Sequence, residues 1–173
     1  MKIPKNDAQI FLDLYITVLN SVFQMEFGRA CTGKDEYVKA RDILYNNLYL
    51  IDAYVESDPD LTPEHIKILK DFTTGFRDKF IYIKTLKKYS IFFQLSTNKF
   101  YCVLGITNSI DNLVPCEFCS IETAILNFKN QIICDGLIVH SETSCKSSLK
   151  KEIKEKYKLA KENNELISYL ITT

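Results

Sequence analysis

The chain has one spacing that suggests metal chemistry, Cys116-Glu117-Phe118-Cys119. Two thiolates separated by two residues can grip a zinc ion when two further donors reach it, and Cys134, His140 and Cys145 follow downstream. No second C-x-x-C accompanies the first, and the onward spacings match no zinc ribbon. Phe118 and Cys119 also fall where a strand should begin, so alternation would send the two thiols to different places. Cys116 and Cys119 are therefore weak metal candidates, read more simply as buried or loop cysteines, and no cofactor is expected. A thioredoxin-type pair would sit at a helix N-terminus after a strand, which is not the pattern around these residues.

Other chemistry is sparser still. His65 falls in the first turn of a helix and His140 at the end of a strand, and neither has a nucleophile placed beside it by sequence. Cys134 or Cys145 with His140 would make a thiol hydrolase only with a flanking turn and an oxyanion-forming glycine, and these are missing. Asp58 with Asp60, and Asp35 with Glu36, lie at helix ends, where turn formation and helix-terminus electrostatics account for them. The stretch from Gly28 to Gly33 lacks the lysine-serine ending of a phosphate loop and follows no strand. No catalytic residue is assigned.

Charge is the more informative pattern. Lysine and arginine number 22 and aspartate and glutamate 22, so the bulk charge gives no reason to expect a nucleic-acid or membrane coat. The balance is segregated, however: residues 1–60 hold 6 basic and 10 acidic side chains, 61–90 hold 7 and 3, 91–145 hold 2 and 5, and 146–173 hold 7 and 4. At about 100° per residue, Lys67, Lys70, Arg77, Lys84 and Lys88 form one stripe of an expected third helix. Lys150, Lys154, Lys158 and Lys161 do the same on the last helix. These nine residues are the candidate nucleic-acid-binding set, with Tyr89, Phe92 or Tyr101 as stacking platforms. The plainer reading is that they are solvated helix faces, partly neutralised by Glu152, Glu155 and Glu162.

The elements that must carry these residues divide the chain in two. Of its 173 residues 46% are hydrophobic, enough to bury a core. Helical periodicity runs from Asp7 to about Tyr89. Asn6 caps a first helix that stops at Gly28; a second spans Asp35 to Val55; a third starts at Thr62-Pro63-Glu64 and runs to Leu86 with the apolar stripe Leu69, Phe72, Phe76, Phe80, Ile83, Leu86. Beyond it, Tyr89–Ser96 and Phe100–Thr107 read as one hairpin, and Phe118–Phe128 with Gln131–His140 as another. Asp135-Gly136 inside the last run is either a tight turn or a glycine bulge, and the bulge is favoured because a turn would leave two very short strands. Ser147 to Glu162 is a helix, and Leu166–Ile171 a final strand. No apolar stretch of about 18 residues is free of polar breaks, since Asp13, Asn20, Gln24 and Glu26 interrupt the most apolar window. A signal peptide is not seen, so a cytoplasmic location with reduced cysteines and no membrane contact is expected.

The segments Lys87–Phe93, Phe100–Thr107, Ala124–Lys129 and Gln131–Ile138, together with the lysine-rich last helix, resemble a group of uncharacterised bacterial proteins in which a helical N-terminal region precedes a small β-rich module. The resemblance covers roughly the C-terminal half, and the first half only by its helical character. It implies an intracellular bacterial origin and an α+β layout. It carries no established activity, and those proteins lack a C-x-x-C at the place of Cys116 and Cys119.

The expectation is an α+β protein. Residues 1–88 form an N-terminal three-helix portion, and residues 89–173 a small, mostly antiparallel curved sheet or partial barrel with a C-terminal helix and strand. Amphipathic, charge-segregated surfaces without catalytic motifs point to a non-enzymatic interaction or regulatory module that binds another protein. Tyr37, Tyr45 and Tyr49 beside the acidic second helix could serve as its contact surface. The alternative is a nucleic-acid-binding module using the basic helix faces; a zinc- or thiol-dependent enzyme comes third.

Overall fold

A computed structural model describes residues 1–171. Among them are the α-helices α1 (Lys5–Phe27), α2 (Lys34–Asn46), α3 (Tyr49–Ser57), α4 (Pro63–Phe72) and α5 (Ser147–Glu162). The strands are β1 (Phe76–Thr85), β2 (Ser90–Gln94), β3 (Lys99–Leu104), β4 (Cys119–Phe128), β5 (Gln131–Cys134) and β6 (Val139–Ser144). The fold is α+β, with a six-stranded mixed sheet.

The helix ends follow local chemistry where the signals are strong. Gly28 takes the left-handed conformation and returns its N–H to Gln24, ending α1. Thr62 accepts from the His65 N–H at 3.2 Å and Pro63 occupies the first turn of α4. Asn6, by contrast, lies inside α1, whose N-cap is Pro4. The expected second helix is two, α2 and α3. Asn47 leaves helical geometry and donates its side-chain amide to the Ile43 carbonyl at 3.0 Å, taking over part of the helix end. The N-terminal portion therefore holds four helices rather than three.

The largest departure is the third helix, which ends at Phe72 instead of Leu86. Thr73 and Thr74 return their hydroxyls to the Lys70 and Asp71 carbonyls, each at 2.7 Å. Gly75 then passes so close to β4 that a Cβ would meet the Leu126 side chain at 2.6 Å. From Phe76 the chain is a strand, so the sheet takes its first member from within residues 1–88. The spacing Phe76, Phe80 fits either element, because a step of four is even and keeps one face in a strand as well as in a helix. The run Phe80-Ile81-Tyr82-Ile83 has the aromatic and β-branched composition of a strand.

Antiparallel pairing joins β1 to β2, β2 to β3 and β5 to β4, while β3 and β5 run parallel. A further antiparallel ladder from Phe76↔Ile125 to Tyr82↔Cys119 closes the sheet on itself through β1 and β4. The ring is thus β1–β2–β3–β5–β4–β1. Ile121 pairs with Phe80 on one side and His140 on the other, so β6 follows β5 along the same edge of β4 without reversing. Between Cys134 (opposite Ile125) and Val139 (opposite Glu122), the chain makes an excursion containing Gly136 at φ 80°. The single bulged strand expected over Gln131–His140 is therefore two short strands on one edge of β4, parted by an excursion at Asp135-Gly136 that does not reverse the chain. The Lys129-Asn130 turn has both residues at positive φ, as a two-residue hairpin of the mirror-image type requires.

Three apolar clusters hold the layers. Phe80, Phe92, Tyr101, Val103, Ile121, Ile125 and Ile132 fill the barrel. On the outside of β4 and β5, Leu126, Phe128 and Ile133 pack against Phe11, Val18, Leu44, Ile51 and Phe72 of the first four helices. On the outside of β1, β2 and β3, Ile81, Phe93 and Phe100 pack against Ile153 and Ala160 of α5. By length and composition α1 could cross a membrane, with an 18-residue window of mean hydropathy 1.2; in this fold Phe11, Tyr15, Val18 and Val22 are core side chains. In place of a final strand at Leu166–Ile171 there is one parallel bridge, in which Ile167 bonds to Phe100 and Cys102 of β3. Asn127 then clamps Leu170 through both its backbone N–H, at 2.9 Å, and its carbonyl, at 2.7 Å.

Candidate functional site

The nine basic candidates separate into groups. Lys67 and Lys70 are exposed on α4, at the N-terminal end of β1. Lys84 and Lys88 lie at the other end of that ten-residue strand, about 30 Å away at the usual rise per residue. Arg77 is consumed locally: its Nε is 2.9 Å from Asp42, and its guanidinium also binds Glu122. The single stripe expected from helical periodicity does not exist, because Arg77, Lys84 and Lys88 are not on a helix.

At the far end a compact basic edge does form. Lys84 Nζ sits 5.5 Å from the centre of the Tyr157 ring of α5. Lys150 and Lys154 lie over Phe118, at 6.0 and 5.4 Å, and the Phe118 N–H bonds to the Tyr82 carbonyl of β1 at 2.7 Å. On the wheel of α5, Lys150, Lys154, Lys158 and Lys161 share one flank, and Glu152, Glu155 and Glu162 lie on the other. Among the described residues, Lys84, Lys88, Lys150, Lys154 and Lys161 make no salt bridge, whereas Lys158 approaches Glu162 at 3.9 Å. Lys87 and Lys151, both exposed, extend the same edge. The adjacent pairs Lys87-Lys88 and Lys150-Lys151 were the signal for them in the sequence.

The aromatic residues offered as stacking platforms are not available. Phe92 and Tyr101 point into the barrel and are buried, and Tyr89 is half-buried beneath α5. Of the three tyrosines beside the second helix, Tyr49 is exposed at 67%, Tyr37 is half-buried, and the Tyr45 hydroxyl is buried without a hydrogen-bond partner.

The cysteines are arranged otherwise than alternation implies. Phe118 takes a left-handed backbone conformation, φ 59°, and the turn it makes brings Cys116 and Cys119 into the same apolar cluster at one mouth of the barrel. Burial pushes the Cys119 thiol up to about 11. Among the described residues no group of three histidine, cysteine or acidic side chains could hold a metal ion. His140 and Cys145 are not gathered to the pair, and His65 is half-buried in the first turn of α4.

Sequence reasoning missed a buried polar cluster between the helices and the barrel. Arg41 of α2 is fully buried and donates to the Leu137 carbonyl at 2.6 Å and from Nε to the neighbouring Asp42 carboxylate at 2.9 Å, with Asp135 3.7 Å away on the buried side. Asp135 accepts from the Thr123 hydroxyl at 2.8 Å, the Leu137 N–H at 3.1 Å and the Tyr15 hydroxyl at 3.2 Å. Burial raises the Asp135 carboxyl, against the pull of Arg41 and these donors, and it raises the Cys134 thiol beside Thr123 to about 12. An arginine among the apolar positions of an amphipathic helix was the available clue. With Arg41, Tyr15 and Asp135 all buried, no substrate reaches the group, and its chemistry is that of a joint.

A groove of about 940 Å³ runs between Phe76, Tyr101, Leu48 and the segment Ile167–Ile171. Lys99, Tyr101 and Tyr169 are the titratable side chains in its walls, and no histidine, cysteine or carboxylate is among its lining residues.

Comparison with protein-family models, with curated proteins and with solved structures finds no match for this chain.

Proposed function

We propose that the protein is a non-enzymatic intracellular interaction module that docks an acidic partner protein on the edge formed by Lys84, Lys87, Lys88 and the lysine flank of α5. The observation that carries this is the convergence of lysines from two separate elements on one surface, with no acidic side chain among the described residues bound to most of them. Keeping unneutralised cations together costs repulsion, and a partner's carboxylates would relieve it while steering the encounter.

A second reading, a phosphate backbone on the same edge, is favoured by the barrel itself. A closed five-stranded ring with this crossing order is the arrangement of OB-type barrels, many of which bind single strands across their second and third strands. Fold alone does not assign function. Here α5 covers that face, and Phe92 and Tyr101, which could have stacked bases, are inside the barrel. This favours the protein partner.

Affinity capture from host lysate, with and without nuclease, separates the two. One stoichiometric protein that survives nuclease and is lost with Lys84→Glu/Lys154→Glu is the expected result. Nucleic acid that elutes with salt and vanishes with nuclease would transfer the edge to the second reading. Robust turnover abolished by a single substitution elsewhere would overturn both.

A further inference from the structure

We infer that Cys116 and Cys119 form a reversible dithiol–disulfide pair that tightens the β3–β4 connection over one mouth of the barrel. Three observations place the thiols for it. The turn at Glu117-Phe118 brings residues 116 and 119 to opposite ends of a four-residue turn, where Cα atoms lie within about 7 Å, inside the range a disulfide spans. Both side chains pack in one cluster with Leu113 and Val114. Cys116 is half-buried and lines an open cleft of about 270 Å³ with Tyr82, Thr85 and Asp111, whereas Cys119 is fully buried behind it.

The conformation of Phe118 is a fourth. A bulky residue at φ 59° is strained, and the strain is held by the Phe118 N–H bonded to Tyr82 and its carbonyl accepting from the Cys145 N–H at 2.8 Å. With an ordinary extended residue at 118 the thiols would alternate to opposite faces. Among the described residues no third histidine, cysteine or acidic side chain joins the pair to hold a metal, and thiol–disulfide exchange is the chemistry two adjacent sulfurs do together.

The oxidant is a low-molecular-weight disulfide of the glutathione class. The accessible Cys116 thiolate attacks one sulfur of that disulfide, the S–S bond breaks, and one glutathione leaves as thiolate. Cys119 then attacks the Cys116 sulfur, forming the internal bond and releasing the second glutathione. The two cysteine protons end on the two glutathione thiols, so the pair is oxidised as the glutathione disulfide is reduced. Full burial keeps Cys119 from the bulky external disulfide and leaves it the second, intramolecular step, for which it first gives its proton to the departed glutathione thiolate.

The test equilibrates the folded full-length chain in glutathione redox buffers, followed by acid quench, alkylation in denaturant and fragment mass spectrometry. The expected result is loss of the two thiol hydrogens between Cys116 and Cys119, reversed in reducing buffer, with the remaining four cysteines alkylated. Cys116→Ser, a change at a half-buried site, should abolish the bridge and leave Cys119 unmodified. Hydrogen exchange in residues 113–118 should slow on oxidation. A mixed disulfide on Cys116 that never resolves, a bridge to another cysteine, no reaction at all, or unchanged exchange at the mouth would each overturn the proposal.

Discussion

The barrel carries helices on two faces, and they are fastened differently. On the outside of β4 and β5, four helices are set down over a broad apolar layer, with Arg41, Asp135, Tyr15 and Thr123 bonded at its centre. On the outside of β1, β2 and β3, α5 is held by a narrower apolar strip around Ile153, with its lysines at the margin. A buried ion pair adds little net stability over an apolar replacement, but it punishes the loss of one partner. It therefore fixes how the helical layer sits. Among the described residues the α5 face has no buried ion pair: Lys156 donates to Asn98 at 2.7 Å and pairs with Glu152 at the surface, and most of the lysine flank is left for solvent or a partner.

The largest expected effect breaks the joint on the first face. Arg41→Ala strands Asp135 without its cation and should cost about 3–5 kcal/mol in urea denaturation. Replacing both members together, Arg41→Met with Asp135→Leu, should recover part of that loss. If the single and double variants are equally unstable, the pair is not what matters there. On the second face, Ile153→Ala empties a fully buried site between α5 and the sheet and should cost about 2–4 kcal/mol. A loss as large as that from Arg41→Ala would mean α5 is as firmly seated as the helical layer.

How far these faces were legible in the sequence differs in the same way. The α5 amphipathic pattern is legible because a 16-residue helix shows its period, and its lysine flank is legible with it. The Thr62-Pro63 start is local chemistry and is legible from three residues. The strand at Phe76–Thr85 reads as helix because the steps of four at Phe72, Phe76 and Phe80 satisfy both periods, and that reading puts three basic residues on a helix face that does not exist. The Arg41–Asp135 contact joins residues 94 positions apart in the chain: Arg41 among apolar helix positions marks one end of it, and nothing local marks the partner. Closure of the sheet through β1 and β4 is likewise a long-range pairing, hidden once β1 was misread. The meeting of Cys116 and Cys119 depends on one left-handed phenylalanine, a conformation that residue type does not announce.

A smaller effect separates a surface ion pair of the helical layer from its buried one. Glu36 binds Arg29 and accepts from the Thr32 N–H, and these partners hold its carboxyl down at about 2, below its ordinary 4.5. A carboxyl depressed on folding stabilises the fold above its unfolded pKa and loses that contribution as pH falls through the folded one. Thermal stability of Glu36→Gln should therefore trail the parent near neutral pH and converge with it toward about pH 2. A gap that stays constant across that range would assign the effect to something other than the carboxylate's charge.

The smallest effect is expected at the basic edge, and it is the most telling for function. Lys88 and Lys161 are exposed and make no salt bridge among the described residues, so reversing them removes no contact that holds the fold. Lys88→Glu and Lys161→Glu should each stay within about 0.5 kcal/mol of the parent in denaturant titration. Reversal can even relieve repulsion among the neighbouring lysines, in which case stability rises slightly at low salt and the gain fades as salt screens it. Partner binding should weaken in the same proteins. If instead either reversal unfolded the chain as Arg41→Ala does, the edge would belong to the architecture, and the two faces of the barrel would be fastened alike.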